Sequence, residues 1–456
     1  MALLPPMLED SVALDHPVRV IDAFVDSLDL GRLGFTKVEA ESTGRPPYHP
    51  ADLLKLYVYG YLNRLRSSRM LERECKRNIE VIWLLGRLAP DFKTIANFRK
   101  DNGLAIRRVC TAWTLFCRQQ GLVGGDVVAI DGSKVQAAAS GTKAFTGKRL
   151  KKVIGQVDER IEQYLKELDQ ADATEQDDDS HMATATLLET LKRERAELQA
   201  LAEQMACSGE QQIVSGETDA VLMGHRPTEA GYNIQTAIDA KHKLIVHHDV
   251  VRDANDRRQL YPMASTTKQV LEAESLVVLA DAGYHNGEQS QRCEDEGITP
   301  VVPAQRTRNQ QTDYFPKEMF VYDAERDVYR CPAGQVLTPR STRVEKRERL
   351  YATRACGTCP LRPQCTSSSR RRVRRTIHED AATRADQRAR EPGTRSKRSG
   401  LAEHPFAWLK RTLAYRFLSR GATNVKAEVA LAITAFNMLR AINTLGAPKL
   451  LWALQT

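Results

Sequence analysis

Two short apolar runs, each delivering an aspartate, constrain this chain most. Val127-Val128-Ala129-Ile130 leads into Asp131-Gly132-Ser133, and Leu276-Val277-Val278-Leu279-Ala280 leads into Asp281-Ala282-Gly283-Tyr284. Short aliphatic runs that stop at turn residues predict buried strands, apolar on both faces as in a sheet covered by helices. Tyr232 to Ile238 and Lys243 to Val251 predict a hairpin that turns at Asp239-Ala240-Lys241-His242. Residues 256–270 predict a helix and Ile298 to Val302 a further strand. Strands and helices mixed in this order place the chain in the α/β class with a mixed sheet.

At 456 residues the chain is too long for one typical domain, so two or three units are expected. Residues 1–120 read as a helical domain. Pro50-Ala51-Asp52 opens the periodic stretch Leu53, Leu54, Leu56, Tyr57, Tyr59 and Leu62, and a second runs through Ile79, Val81, Ile82, Leu84 and Leu85. Asp91 to Lys100 predicts a short basic helix after a turn, compatible with either a helix-turn-helix or an ordinary helical hairpin. Residues 121–456 carry the strands. Within them, residues 147–206 break the pattern: Ile154, Val157, Ile161, Tyr164 and Leu168, then Leu187, Leu188, Leu191, Leu198, Leu201 and Met205, follow helical spacing around the acidic Glu175 to Ser180. An inserted helical hairpin, coiled-coil-like, is the expectation.

The net charge is +9 and the pI about 9.0, which suggests a polyanionic partner. Residues 341–400 hold 17 Lys/Arg against 6 Asp/Glu, so this segment carries the whole excess. It includes the run Arg370-Arg371-Arg372-Val373-Arg374-Arg375. Such a run is either a solvated loop or a phosphate-contacting arm, and Arg371, Arg372, Arg374, Arg375, Arg395 and Arg398 are the candidate DNA contacts. No apolar run is long enough to cross a membrane, and Met1 to Val20 lacks the pattern of a secretory signal, so a cytoplasmic protein is expected. In a reducing compartment the nine cysteines point to thiols or metal ligands before disulfides. Cys331, Cys356, Cys359 and Cys365 cluster within residues 325–400, a Cys-rich basic insertion, and suggest a structural zinc site or free thiols. Cys75, Cys110, Cys117, Cys207 and Cys293 are scattered and read as core residues.

Asp131 and Asp281 carry the chemistry. Two carboxylates brought together at strand ends repel, and a hard divalent cation with oxygen ligands offsets that cost. Glu403 is the third candidate ligand, in Glu403-His404-Pro405-Phe406-Ala407-Trp408-Leu409-Lys410, with Pro405 read as belonging to a first helical turn. Lys410, two turns on, shares a helix face with Glu403. Asp239, Asp253 and Asp256 are weaker candidates, the first in a hairpin turn and the others flanking a helix start.

Ala129-Ile130-Asp131-Gly132-Ser133-Lys134, Gly231 to Ala237, Ala280 to Asn286 and Glu403 to Lys410 occur in this order. Together they resemble the DDE transposases of bacterial insertion sequences, in particular the 1182 type within the IS5-like group. Residues 15–103 resemble the N-terminal helical domain of those enzymes. The resemblance implies a ribonuclease H-like catalytic core and Asp131, Asp281 and Glu403 as a triad binding Mg²⁺ or Mn²⁺, with Lys410 beside it. It implies double-stranded DNA, both transposon ends and target, as partner, and a homodimer or higher multimer on that DNA, associated with the nucleoid. Related enzymes carry an arginine four residues before the glutamate, where this chain has Ser399, with Arg398 and Arg395 nearby. Two other readings stay open: a zinc-containing DNA-binding regulator derived from a transposase, and a nuclease that cuts without joining.

Overall fold

The computed structural model describes residues 7–39, 47–139, 144–172, 178–209, 212–223, 229–305, 314–343 and 347–456, with the side chains of 167–185 excepted. The chain opens with helices α1 (Pro17–Asp26), α2 (Leu30–Leu33), α3 (Pro50–Leu62), α4 (Ser68–Arg77), α5 (Ile79–Leu84), α6 (Phe92–Asp101) and α7 (Gly103–Gln119). Proline starts α1 and α3, where its missing N–H costs nothing, and Asp91 caps α6 by accepting from the Lys93 and Thr94 N–H groups. The basic stretch 91–100 is thus helical, packed against α4.

These helices do not enclose a core of their own. One apolar core runs from Val12 to Leu450 and joins them to the strands. Its axis is α14 (Ala422–Leu445), buried without interruption from Ala427 to Met438, which packs on α3, α7 and the central sheet. A helix in contact on every side has no polar stripe to show. An ion pair crosses the same seam. Arg66, between α3 and α4, donates to the fully buried Glu428 at 3.0 Å, and Glu428 also accepts from the Leu418 and Ser419 backbone.

The central sheet contains β1 (Val127–Gln136), β4 (Val221–Met223), β5 (Glu229–Asp239), β6 (Ile245–Val251), β7 (Leu276–Leu279) and β8 (Ile298–Val301). Its order is β6-β5-β1-β7-β8, with β4 beside the first residues of β5. β6, β5 and β1 are antiparallel neighbours; β1, β7 and β8 are parallel. α10 (Leu260–Leu271), α11 (Gly287–Asp295) and α12 (Glu379–Ala389) cover one part of it. α13 (Thr394–Thr412) lays Leu401 against Ala129, Leu279 and Val301. The chain ends in α15 (Ala447–Gln455), against α1.

The insertion is a helical hairpin of α8 (Gly147–Asp172) and α9 (Asp178–Ser208), closed at its base by β2 (Ala144–Thr146) against β3 (Gln212–Val214). Leu150, Val157, Leu191 and Leu198 form its seam, and Arg195 pairs with Asp158 across it. Residues 175–177 of the acidic stretch lie outside the described residues.

The Cys-rich basic segment differs from the expected loop or arm. It builds a second, antiparallel sheet of β9 (Val321–Asp323), β10 (Val328–Arg330), β11 (Val336–Arg343), β12 (Glu348–Ala352) and β13 (Arg372–Thr376), in the order β13-β12-β11-β10-β9. Its own small core is Phe320, Tyr329, Leu337, Tyr351 and Val373. Five short strands with one apolar residue in two carry too weak a periodic signal to stand out among so many arginines.

Candidate active site

Register decides where the aspartates stand. β1 pairs with β7 only as far as Ala129↔Leu279, yet continues along β5 to Gln136↔Gly231. Asp131 does not end its strand, as the sequence suggests, but lies in the middle, at the step where β1 outruns β7. Asp281 follows the end of β7 and caps a single 3-10 turn, accepting from the Gly283 N–H at 2.7 Å. Extending the parallel register by two residues puts Asp131 level with Asp281, and the Asp131 carboxyl senses the charge of Asp281. Asp131 is half-buried, and burial pushes its carboxyl up to about 6, helped by the negative charges of Asp281 and Asp256. The Gly132 N–H and the Arg398 guanidinium, 3.6 Å from Asp131 Oδ2, act in the opposite direction.

Asp256 does not cap a helix beginning near residue 256. The helix instead starts at Leu260 with Gln259 as its cap, which frees the Asp256 carboxylate. Its Oδ1 accepts from Gln235 Nε2 at 2.6 Å and from Asn233 Nδ2 at 2.7 Å. Both amides are almost wholly buried in β5. The Tyr284 hydroxyl donates to Gln235 Oε1, which fixes the orientation of that amide. Two glycines make room. A Cβ on Gly132 would come 2.6 Å from Asp256 Oδ1, and one on Gly283 would stand 2.9 Å from Asp281 Oδ1 and 3.8 Å from Asp256 Oδ2. Any side chain at either position would displace a carboxylate, which is the physical reason for glycine beside both aspartates. The signal is present in the sequence: Asn233 and Gln235 stand two apart in a strand, so they share one face.

Glu403 comes from a helix rather than from a strand. It lies exposed on α13, with Oε1 accepting from the Ser399 hydroxyl at 2.6 Å. The helix begins at Thr394, nine residues before Glu403, so Pro405 sits in its interior and not in a first turn. Proline there removes the bond to the Leu401 carbonyl, while Leu401, Ala402, Phe406 and Leu409 bury the face around it. Lys410 follows on the same helix, half-buried. Among the described residues no three Asp, Glu, His or Cys side chains stand close enough to hold a metal ion. Asp239 binds the Gly124, Gly125 and Lys241 N–H groups and is a structural turn residue; Asp253 accepts from Gln259.

The six candidate arginines divide. Arg371 reaches inward, donating to the Cys365 and Phe315 carbonyls at 3.1 Å beneath the Phe320 ring. Arg375 stacks 3.6 Å from the Tyr322 ring centre and pairs with Asp380. Both are consumed by the small sheet's own packing, because alternate residues of a strand face opposite sides. Arg398 serves Asp131. Arg372, Arg374 and Arg395 are exposed. Cys331, Cys356, Cys359 and Cys365 line one pocket under the second sheet, none of them in a disulfide. Burial pushes the Cys365 thiol up; Arg371 opposes this, and the other three cysteines add to it.

Fold and site together describe a mixed α/β protein with an acidic centre on its main sheet and a basic, cysteine-bearing sheet beside it. Residues 6–101 match a family described as a transposase domain (DUF772), and residues 330–442 match the transposase DDE domain. By these two domains the chain is a DNA transposase, an enzyme of mobile elements. The second match spans Glu403, Lys410, the four cysteines and the arginine run, and leaves Asp131 and Asp281 outside. No curated protein matches the chain. Among solved structures a cryo-EM structure of a piggyBac transposase synaptic complex with hairpin DNA is similar at 9% identity and a TM-score of 0.36, over 97% of this chain and 79% of that one. A likeness of that size carries no argument.

Proposed function

We propose that this enzyme is an insertion-sequence transposase of the 1182 type, which cuts the ends of its element and joins the freed 3′-hydroxyl to target DNA. The observation that carries the reading is the parallel register of β1 and β7, which sets Asp131 and Asp281 side by side where β1 outruns its neighbour. Three antiparallel strands continued by two parallel ones, with helices packed on them, support a ribonuclease H-like core.

By donor type the site suits Mg²⁺ or Mn²⁺. The donors are carboxylate oxygens, and the space between Asp281 and Asp256 is kept open by Gly283, where a Cβ would stand. Asp131 and Asp281 would hold the ions, with Glu403 or Asp256 as the third carboxylate. Bound ions would supply charge neutralisation at the scissile phosphate for both the attacking and the leaving oxygen. The protein's own part is placement. Asn233, Gln235 and Tyr284 hold Asp256 rigid, Arg398 balances Asp131, and Lys410 on α13 is available to a phosphate oxygen. No nucleophile from the protein is required, since water and the DNA 3′-hydroxyl attack in turn.

Joining two ends calls for a homodimer or higher multimer on double-stranded DNA, acting in the cytoplasm on the nucleoid. Cleavage and joining of a labelled duplex bearing the element's end, with Mg²⁺, tests the reading. Asp281→Asn should abolish cleavage and leave duplex binding nearly intact; equal loss of both would show a folding role instead. Glu403→Gln and Asp256→Asn decide the third carboxylate, because the variant that retains cleavage is excluded. Cleavage without joining would leave a nuclease, and tight binding without cleavage a regulator.

The four cysteines fit a structural zinc ion by donor chemistry: soft thiols, unpaired, around one pocket. The purified protein is expected to contain about one zinc per chain, and chelation to lower its melting temperature. Metal-free protein with an unchanged melt would remove zinc from the account.

A further inference from the structure

The second sheet has two faces of opposite character. Tyr322, Tyr329, Leu337, Tyr351 and Val373 point into its small core. The register places Arg330 of β10, Arg343 of β11, and Arg372 and Arg374 of β13 on the other face. All four are exposed, and none has an ion pair or side-chain hydrogen bond among the described residues. Arg340, in the bulge of β11, is exposed as well. Between β13 and β10 this face carries uncharged residues: Ala352 and Thr338 stand in line with Arg372, Leu350 and Ser341 with Arg374, and Val336 beside Arg330. Glu348 and Asp323 are the acids on this face by register, both at its margins.

We infer that this outward face grips the phosphate backbone of duplex DNA, with Arg330, Arg372 and Arg374 as its principal contacts. The inference rests on the reading of the chain as an enzyme acting on DNA, and assigns the contact to a face rather than to the arginine run as a whole. Strands lie about 4.8 Å apart, so β13 and β10 set their arginines roughly 14 Å from one another. A pair of unpaired guanidinium groups on β13 and a third on β10 suit a ridge of phosphates, which they can hold bidentately, better than a single acidic side chain. Arg330 lies eleven residues before the segment that carries the basic excess, so only the fold joins it to the run. Arg371 and Arg375, members of that run, take no part, because the opposite face uses them.

The test is the salt dependence of affinity for a mixed-sequence duplex of about 30 base pairs, measured with the full-length protein in EDTA. Replacing Arg330, Arg372 and Arg374 together by Ala is expected to flatten the slope of log affinity against log salt by roughly 2–3, about 0.9 for each phosphate that is no longer neutralised. Arg371→Ala should lower the melting temperature and leave the slope unchanged in protein that remains folded. A wild-type slope in a folded triple variant overturns the inference and leaves the transposase reading standing, as does a slope flattened equally by Arg371→Ala. Failure of the wild-type protein to bind any duplex overturns the DNA-enzyme reading, and the inference with it.

Discussion

Asp131→Asn should make the metal-free protein more stable at pH 7 by about 1–2 kcal/mol while abolishing strand cleavage. Burial together with Asp281 and Asp256 holds the Asp131 carboxyl near 6, some two units above its ordinary value. Two units correspond to at most ~3 kcal/mol, reduced here because the side chain keeps 22% of its exposure. The sign follows from proton binding. A carboxyl raised in the folded state favours folding below its unfolded pKa, and that contribution disappears as pH rises through about 6. The gap between wild type and Asp131→Asn should therefore be wide at pH 7 and close toward pH 4. Thermal melts in EDTA across that range measure it. A variant less stable than wild type at pH 7, or a gap that does not change with pH, would refute a strained acidic centre. Excess Mg²⁺ should restore wild-type stability and leave the variant unaffected, since only the former gains a ligand for the ion.

Glu428→Ala is expected to destabilise the protein by about 3–5 kcal/mol, seen as a lower midpoint of urea unfolding. Glu428 is wholly buried and faces Arg66 at 3.0 Å together with two backbone N–H groups. Removing it leaves a buried guanidinium and two N–H groups unanswered. The loss should reach the active-site strand. Glu428 ties the N-terminal helices to the turn after α13, where Tyr415 and Phe417 bond both sides of Gln136 in β1. Glu428→Gln keeps the acceptor and should recover part of the midpoint. A midpoint within about 1 kcal/mol of wild type for the alanine variant would mean that the pair adds nothing beyond its desolvation cost.

Much of this architecture is legible in the order of the residues. The apolar runs at 127–130 and 276–280 form β1 and β7, because a strand buried on both faces has no polar alternation to obscure it. The hairpin of residues 232–251 and the helical insertion follow equally from period and turn chemistry. The domain division is harder. The N-terminal helices α1 to α7 are local in origin, but α3 and α7 close their apolar faces against α14, more than three hundred residues away in the chain, and no local pattern records that. The second sheet is hidden in the sequence because charge dominates its composition.

At the site, residue types and order are legible, while geometry is not. Asp131 and Asp281 announce themselves by following apolar runs. Their shared level depends on parallel register, which is a property of two segments and not of either one. Asp256 resembles a capping residue when only its neighbours in the chain are considered. Its partners Asn233 and Gln235 lie some twenty residues earlier, and only the folding of β5 onto β1 turns their amides toward it. The arginine run looks uniform as a string of letters. Pleating divides it residue by residue into a face that packs and a face that meets solvent. Outside the second sheet, local chemistry along the chain thus determined which segments would be strands and helices and which side chains could react. Tertiary structure alone decided which of those side chains meet, because the contacts that align a carboxylate or bury an arginine come from residues distant in sequence.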